Sequence, residues 1–249
     1  MCLILLAWRT VAGHPWLLLG NRDEFHARPS TAAGVWPDAP EILGGRDIEA
    51  GGSWLALNRN GRFAAVTNVR TGQPRRGARS RGALVADFVR GLAPPERYAE
   101  RVALERDDYG PFNLVIGDAA SAFAASSTRD APWRLDAGVH VLSNGPPGVR
   151  WPKAQRLLDA FAATVRATGD DAALLDLLGD IGQPIDAELP DTGIGIERER
   201  FLAPIFIRGS EYGTRASTLA CARADASMVL IERRFAAGGT FVGETRLEV

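Results

Sequence analysis

The chain opens with Met1-Cys2-Leu3-Ile4-Leu5-Leu6-Ala7-Trp8 and, after a turn at Gly13-His14-Pro15, continues with Trp16-Leu17-Leu18-Leu19-Gly20-Asn21-Arg22-Asp23-Glu24. Two short apolar runs joined by a Gly/Pro turn predict a buried β-hairpin. A hairpin folds the end of its second strand back beside the start of its first. We therefore expect Asn21, Arg22 and Asp23 to form a polar, charged turn close to Cys2.

The residue at position 2 suits nucleophilic chemistry. Small second residues generally permit removal of the initiator Met, which would leave Cys2 with a free α-amine. That amine has a reference pKa of about 7.7–8.0, so it can act as a base near pH 7 and activate the adjacent thiol. Arg22 would favour the thiolate, and Asp23 could orient the amine or the arginine. The alternative is that Cys2 is simply a small apolar residue in a buried strand.

The sequence resembles a known family over nearly its whole length. Met1-Cys2 before a short strand, Asn21-Arg22-Asp23-Glu24-Phe25 and Arg28-Pro29 resemble the NRDE family, which is named for that tetrapeptide and includes the transport and Golgi organisation protein 2 homologues. The resemblance continues, in order, through Gly44-Gly45-Arg46-Asp47, Gly51-Gly52-Ser53-Trp54-Leu55, Gly61-Arg62-Phe63, Thr67-Asn68, Ser80-Arg81-Gly82, Phe112-Asn113-Leu114, Leu142-Ser143-Asn144, Trp151-Pro152-Lys153 and Tyr212-Gly213-Thr214-Arg215-Ala216-Ser217-Thr218. We expect one NRDE-family domain over residues 1–249.

The resemblance implies a fold. The NRDE family is similar to the N-terminal-nucleophile hydrolases, especially the branch of bile-salt and penicillin V acylases, in which two antiparallel sheets stack between helical layers. The expected fold is therefore α+β, a four-layer αββα sandwich of N-terminal-nucleophile hydrolase type. Strand patterns at both ends of the chain, with helical patterns between them, agree with a layered α+β domain.

The resemblance also implies site residues. Cys2 matches the nucleophile of the acylase branch, and Arg22 and Asp23 fall where that branch has an arginine and an aspartate. The acylase motif is spaced differently, so Asn21 or Glu24 could take one of these two roles.

Three more residues match functional positions further along the chain. Asn68 and Asn144 fall near the oxyanion-hole positions, and Arg215 falls near a late-strand arginine. The Asn144 side chain and a backbone N–H near Asn68 would then meet the oxyanion. Each asparagine also has a plainer interpretation as a turn former at the end of a strand.

The function implied by the resemblance is that of a cysteine amidohydrolase. It would cleave a non-peptide, linear amide C–N bond of a small molecule through a Cys2 thioester, without a cofactor or a metal. The alternative is a non-catalytic carrier in haem trafficking or in lipid and acyl-CoA homeostasis, with haem or another hydrophobic anion as the carried ligand. The oligomeric state is not specified by the sequence.

Composition and charge limit the classes of partner and of cellular location that fit this chain. The chain has 249 residues, 46% of them hydrophobic, and a formal net charge of −1, so no charge excess points to nucleic acid as a partner. The two cysteines, Cys2 and Cys221, form no disulfide framework and suit a reducing compartment. The first apolar run lacks a basic flank and a cleavage site, and no run approaches the ~20 residues of a membrane span. We expect a cytoplasmic protein.

The remaining elements are predicted from hydrophobic period and turn residues. Asn58-Arg59-Asn60-Gly61 joins two strands in a hairpin, and Ser80 is a candidate N-cap. Residues 27–52, rich in Pro and Gly, are expected to be irregular with close backbone approaches at Gly44-Gly45 and Gly51-Gly52. Helices are expected over 81–92, 95–106, 151–167 and 171–178, and strands over 53–57, 62–67, 112–116, 121–126, 139–143, 202–207, 214–222, 228–235 and 240–247. The last four of these strands are expected to form an antiparallel meander.

Two further groups of residues were considered for binding. The loop that carries Arg70, Arg75, Arg76, Arg79 and Arg81 is either a solvated mobile loop or a lid that meets an anionic ligand. His14, His26 and His140 have no metal-ligand spacing, and neither cysteine belongs to a CxxC pair. His14 is expected to be exposed, and Cys221 to lie in the core.

Overall fold

The computed structural model describes residues 3–73, 75–167 and 170–249. Within these ranges the strands form two antiparallel sheets and the α-helices cover their outer faces. The strands are β1 (Leu3–Val11), β2 (His14–Phe25), β3 (Gly34–Trp36), β4 (Ala39–Gly44), β5 (Leu55–Asn58), β6 (Phe63–Asn68), β7 (Phe112–Gly117), β8 (Ala122–Ser126), β9 (Trp133–Arg134), β10 (Gly138–Leu142), β11 (Tyr212–Ala222), β12 (Met228–Ala236) and β13 (Thr240–Glu248). The helices are α1 (Arg81–Arg90), α2 (Pro95–Leu104), α3 (Pro152–Ala167), α4 (Asp171–Asp176) and α5 (Ile196–Leu202).

The sheets differ in how the chain builds them. The first has the order β10-β1-β2-β11-β12-β13, so it joins the two ends of the chain. The second has the order β3-β4-β5-β6-β7-β8-β9, a meander of consecutive strands. The N-terminal hairpin therefore lies inside the first sheet, where the predicted C-terminal meander extends it.

Alternation along the strands creates the layers. On β1, Ile4, Leu6 and Trp8 pack between the two sheets, whereas Leu3 and Leu5 pack against α3 and α4. The outer face of the second sheet is covered by α1 and α2. Because each sheet is apolar on both faces, the order helix, sheet, sheet, helix follows. The predicted αββα sandwich is confirmed.

Aromatic rings fill the layer between the sheets. Phe63 on β6 packs against Trp16 on β2 with ring centroids 4.5 Å apart, and against Trp8 on β1 at 6.3 Å. All three side chains are almost fully buried. These contacts tie the N-terminal hairpin to the second sheet.

The N-terminal hairpin is confirmed, but one part of its prediction was wrong. Asn21-Arg22-Asp23-Glu24 is not a turn, because these residues continue β2 as far as Phe25. The physical reason lies far away in the sequence: β11 supplies backbone partners, with Ser217 opposite Asn21 and Ala216 opposite Arg22. The motif is thus the buried end of a long strand.

Two other segments differ from expectation. The stretch 27–52 contains the short strands β3 and β4, because Ile42 and Leu43 pair with β5. The apolar run 202–207 is not a strand. It follows α5, and its backbone N–H groups find other acceptors: Phe206 donates to the Asp180 carbonyl and Ile207 to the Thr214 hydroxyl.

Several local predictions are confirmed. Ser80 caps α1 by accepting from the Gly82 N–H. A Cβ on Gly45 would lie 2.3 Å from the Trp54 ring, so the close approach expected at the first glycine pair is real. The predicted strands at 53–57 and 62–67 form the hairpin of β5 and β6.

We predict that Phe63→Ala destabilises the protein by about 3–5 kcal/mol, because a ring that is 1% exposed leaves a cavity between the sheets. Urea unfolding measures the free energy of unfolding. Phe241→Ala, at a ring that is 58% exposed, is the control and should change it by less than about 1 kcal/mol. Equal effects of the two substitutions would contradict the packing described.

Candidate functional site

The start of β1 lies between two other strands of the first sheet. Leu3 pairs with Asn21 on β2, and Ile4 pairs with Leu142 on β10. Both neighbours run antiparallel to β1, so their carboxyl ends reach the beginning of β1. The predicted nucleophile, Cys2, lies outside the described residues. The other predicted site residues are described and can be located around this end of the sheet.

Arg22 faces the layer between the sheets. Its guanidinium stacks on the Trp54 ring of the second sheet, 4.2 Å from the ring centroid. It donates to the Ser30 hydroxyl at 3.2 Å and to Asp47 Oδ2 at 3.4 Å. Burial lowers the pKa of Arg22, and the positive charge of Arg215 adds to this effect. An arginine keeps its proton in proteins even so, and the site therefore contains a buried positive charge.

Asp47 connects Arg22 to a second arginine. Arg28 donates to both of its carboxylate oxygens, at 2.7 and 3.2 Å. Burial would raise the pKa of Asp47, but the hydrogen bond from Arg28, the Ala50 N–H and the two arginine charges hold it below its usual value. Asp47 and Trp54 were not among the predicted site residues. Both lie in segments that carry the NRDE resemblance, which is the signal that could have found them.

Asp23 belongs to the opposite face of β2 from Arg22. Its Oδ1 accepts from the Thr214 hydroxyl at 2.6 Å, and that hydroxyl in turn accepts from the Ile207 N–H. The Tyr212 hydroxyl donates to the Asp23 carbonyl at 3.2 Å. The carboxylate is therefore held in one orientation, on the side of the sheet that faces α3 and α4.

The neighbouring residues of the motif have other partners. The Asn21 amide donates to the carbonyls of Leu178 and Ile205, and its Oδ1 accepts from the Ser217 hydroxyl at 2.7 Å. Glu24 accepts from the Phe25 N–H at 2.8 Å. These contacts tie the strand to its surroundings.

The two predicted oxyanion residues lie side by side. The Asn144 Nδ2 donates to the Asn68 carbonyl and to Asn68 Oδ1, each at 3.0 Å. Lys153 Nζ lies 3.5 Å from Asn144 Oδ1 and donates to the Leu202 carbonyl at 3.2 Å. Asn144 is 1% exposed, whereas Asn68 is partly exposed at the end of β6. The asparagine pair thus joins the two sheets at the site.

The backbone around this pair is hydrogen-bonded as well. The Val69 N–H donates to the Pro111 carbonyl and the Arg70 N–H to the Asn144 carbonyl, at 3.0 and 2.7 Å. These two N–H groups are therefore not available as backbone oxyanion donors. Thr67 and Asn113 of the second sheet both donate to the Ser143 carbonyl, which fixes the loop after β10.

Arg215 lies at a bulge in β11, between Thr214 opposite Asp23 and Ala216 opposite Arg22. Its guanidinium donates to the backbone carbonyls of Phe25 and Arg28. With Arg22 and Trp54 it lines a cavity of about 300 Å³ between the sheets. Arg22 and Arg215 are thus brought to one cavity.

Glu232 and Arg234 of β12 line the same cavity and are not among the predicted site residues. Glu232 is 2% exposed and accepts from the Ala33 N–H at 2.7 Å. Burial raises its pKa, which the Ala33 hydrogen bond and the charges of Arg234 and Arg22 partly oppose. The sequence signal that could have identified Glu232 is a carboxylate at an inward-facing position of an otherwise apolar strand.

The arginine-rich loop is tied to the protein. Arg70 forms a buried ion pair with Glu199 at 2.6 Å, and its guanidinium lies over the Trp151 ring. Other arginines of the loop contact protein groups as follows: Arg75 the Tyr109 carbonyl, Arg79 the carboxylates of Asp87 and Glu105, and Arg81 the Pro111 carbonyl. These contacts favour a structural role over a lid.

Cys221 is fully buried in the core, as expected, and burial raises the pKa of its thiol to about 12. One ligand atom each of His14, Asp171 and Cys221 lie within 4.8 Å of one another, a grouping that the sequence analysis did not foresee. Arg223 and Arg246 both contact Asp171 Oδ2, at 3.4 and 3.3 Å. A protonated thiol and two guanidinium groups oppose a cation there.

No helix within the described ranges is long and apolar enough to cross a membrane.

The fold has counterparts among solved structures. A variant of conjugated bile acid hydrolase from Clostridium perfringens superposes with a TM-score of 0.59, covering 98% of this chain and 92% of that one at 11% identity. A second variant of the same hydrolase gives a TM-score of 0.57. At this identity the likeness concerns the fold, and it agrees with the predicted N-terminal-nucleophile hydrolase type.

Sequence comparisons identify the family. The family model described as "Transport and Golgi organisation 2" matches residues 1–237. The chain is 32% identical to the Transport and Golgi organization protein 2 homolog of Bos taurus over 237 residues, which covers 87% of this chain and 85% of that protein. It is 28% identical to the Drosophila melanogaster protein over 248 residues, covering 88% and 86%. The chain therefore belongs to the Transport and Golgi organisation 2 family, as its resemblance to the NRDE proteins predicted.

Proposed function

We propose that the protein is an N-terminal-nucleophile cysteine amidohydrolase, which cleaves a small-molecule, non-peptide amide through a thioester on Cys2. One observation carries the proposal: groups from both sheets, Arg22 and the Asn68–Asn144 pair, flank the strand that follows Cys2. The likeness in fold to a bile acid hydrolase supports an amide-cleaving reaction. The proposal does not extend that enzyme's bile acid substrate to this chain.

The proposal requires Cys2 to lie between Arg22 and Asn144. The registers of the neighbouring residues support this requirement, because Arg22 follows Asn21, the partner of Leu3, and Asn144 lies two residues beyond Leu142, the partner of Ile4. Covalent geometry keeps the Cα atoms of residues 2 and 3 about 3.8 Å apart.

An N-terminal residue carries its amine on Cα and its thiol on Cβ. One residue can therefore present the two groups in different directions. The proposal directs the thiol to the layer that contains Arg22, whose positive charge would favour the thiolate. It directs the amine toward Asp23, whose carboxylate is fixed by Thr214.

The proposed reaction has two halves. The α-amine takes the thiol proton, the sulfur forms a bond with the amide carbonyl carbon, and the carbonyl electrons move to oxygen. When the tetrahedral intermediate collapses, the C–N bond breaks, and the leaving amine receives the proton held by the α-amine. Water then attacks the thioester, gives a proton to the α-amine and releases a carboxylic acid, and the thiol recovers that proton.

The oxyanion would be met by the asparagine pair. Asn144 directs both N–H bonds of its amide at Asn68, which fixes the Asn68 side chain. Asn144 would therefore either share one of these N–H groups with the oxyanion or act as a positioning residue for Asn68. Preorganised donors of this kind are a large part of catalysis in acyl transfer.

The second candidate is a non-catalytic carrier, and the cavity lined by Arg22, Arg215 and Arg234 favours it. A carrier would use the same cavity for a hydrophobic anion without breaking a bond. Haem as the carried ligand stays a prediction, and a haem titration without a saturable absorbance shift would contradict it. Both candidates fit the cytoplasmic location expected from cysteine usage.

The first prediction concerns processing. The reaction needs a free α-amine on Cys2, so the mass of the intact protein should be that of the chain without Met1. Mass spectrometry of protein isolated from cytosol measures this directly. A chain that retains Met1 quantitatively would rule out the N-terminal-nucleophile mechanism and leave the carrier.

The second prediction concerns thiol reactivity over pH. Native protein should react with iodoacetamide at one thiol between pH 6 and about 9, because the pKa of the Cys221 thiol is raised to about 12. Cys2→Ala should abolish this labelling, and Cys221→Ala should leave it unchanged. If Cys2 reacts no faster than Cys221 does in unfolded protein, activation of Cys2 is contradicted.

The third prediction concerns the oxyanion site. Asn144→Ala should slow acylation of Cys2 by p-nitrophenyl decanoate about 10²–10³-fold, because a donor or its support is lost. Asn58→Ala is the matched control, since Asn58 is buried and donates to the Val89 carbonyl far from the site. Stopped-flow release of p-nitrophenolate gives both rates. Equal rates in the two variants would contradict the assignment.

A further inference from the structure

The floor of the cavity is one row of residues across three strands. Ala216 on β11 pairs with Arg22 on β2 and with Arg234 on β12. Neighbouring strands are about 4.8 Å apart, so the two arginines start about 10 Å apart on either side of a methyl group. The small Ala216 side chain leaves space between two guanidinium groups that rise from the same face of the sheet.

The positive charges of this cavity are poorly neutralised. Within the described ranges, neither Arg215 nor Arg234 forms an ion pair, and Arg22 has one carboxylate contact, to Asp47 at 3.4 Å. Asp47 is already held closely by Arg28. The negative charge of Glu24 also acts on Arg22. Glu232, which lines the cavity, forms no ion pair with the described arginines, and burial favours its neutral form.

Unpartnered polar atoms mark the same region. Arg234 Nε and His26 Nε2 are both buried, and neither has a hydrogen-bond partner among the described residues. Both residues line the cavity. Thr218 Oγ1 is also buried and has no hydrogen-bond partner among the described residues. Thr218 lies in the next row of the same face of the sheet, where it pairs with Glu232. Buried polar atoms are usually satisfied in folded proteins. The Arg234 Nε donor, with a His26 ring nitrogen beside it that donates in one tautomer, therefore points to a ligand that accepts hydrogen bonds.

Part of the remaining cavity wall is apolar, although Ser30 and Thr31 also line it. Trp54 closes one side and is 6% exposed, and Phe235 and Val242 form part of the opposite rim. Val242 is 62% exposed, so apolar surface continues outward from the cavity. A volume of about 300 Å³ is at the lower end of the range for small-molecule sites.

We propose that this cavity binds a single-tailed amphiphile with an oxyanion headgroup, a carboxylate or a phosphate, held between Arg22 and Arg234 above Ala216. The headgroup accepts from the two guanidinium groups, as planar donors of this type favour for such anions. The apolar tail lies against Trp54, Phe235 and Val242. The interpretation of this ligand as a substrate rests on the function proposed above, but its binding does not.

The test measures binding by isothermal titration calorimetry to Cys2→Ala protein, in which the proposed chemistry is removed. The probes are decanoate, decyl phosphate and the uncharged decanamide. Both anions, or one of them, should bind at least about tenfold more tightly than decanamide, since a charge-assisted hydrogen bond contributes about 1.5–3 kcal/mol. The tighter anion identifies the headgroup.

Three variants test the position. Arg234→Gln should weaken anion binding about 10- to 100-fold and leave decanamide unchanged. Glu232→Gln, which keeps an acceptor for the Ala33 N–H, should change anion binding by less than about threefold, because burial already favours the neutral form of Glu232. Arg233→Gln is the matched control, because the neighbouring Arg233 pairs with Asp176 and Glu244 instead and should have no effect.

Each outcome has a defined meaning. Equal affinity for the anions and decanamide, equal effects of Arg234→Gln and Arg233→Gln, or no binding of any probe would overturn the proposal. A second outcome is anion binding that depends on Arg234 while p-nitrophenyl decanoate fails to acylate Cys2 of the wild-type protein. This result would uphold the ligand class and reject the hydrolase. Acylation of Cys2 in the wild-type protein, together with no anion binding, would uphold the hydrolase and reject the ligand class.

Discussion

The backbone ladder between β2 and β11 is the constraint on which the rest of the structure depends. It keeps Asn21–Phe25 extended and holds Asn21, Arg22 and Asp23 buried in the middle of a sheet, where an isolated hairpin would have ended in an exposed turn. Alternation along that strand then sends Arg22 to the layer between the sheets and Asp23 to the other face. A charged guanidinium can remain in the interior because Trp54, Ser30 and Asp47 surround it.

This arrangement explains how one short motif contributes different chemistry to each face of a sheet. The Asn21 amide donates to the carbonyls of Leu178 and Ile205, so it stabilises the packing of the strand. Arg22 reaches a cavity that also contains Arg234 and Glu232, and Asp23 is oriented by Thr214. The second sheet contributes through Asn68, which meets Asn144 across the gap between the sheets. The site is therefore a product of sheet stacking and not of one loop.

Much of the fold and part of the candidate site could be predicted from the sequence, and the predictions that were wrong have physical causes. Hydrophobic alternation and turn residues predicted the N-terminal hairpin, the β5–β6 hairpin and the C-terminal meander, because these depend on local pattern. The resemblance predicted Arg22, Asn68 and Asn144 as site candidates. The sequence did not reveal that Arg22 stacks on Trp54 or shares a row with Arg234, because these contacts join strands far apart in the chain. The apolar run at 202–207 was misread because burial alone does not supply a ladder partner.

The central claim is that the thiol of residue 2 is activated by the buried charge of Arg22. Carbon-13 NMR of protein labelled at cysteine Cβ, in a Cys221→Ala background, measures the pKa of that thiol directly. The account predicts a pKa below the reference value of about 8.5, and a rise of about one unit or more in Arg22→Gln. A thiol that titrates at or above the reference value, and does not respond to Arg22→Gln, would contradict it.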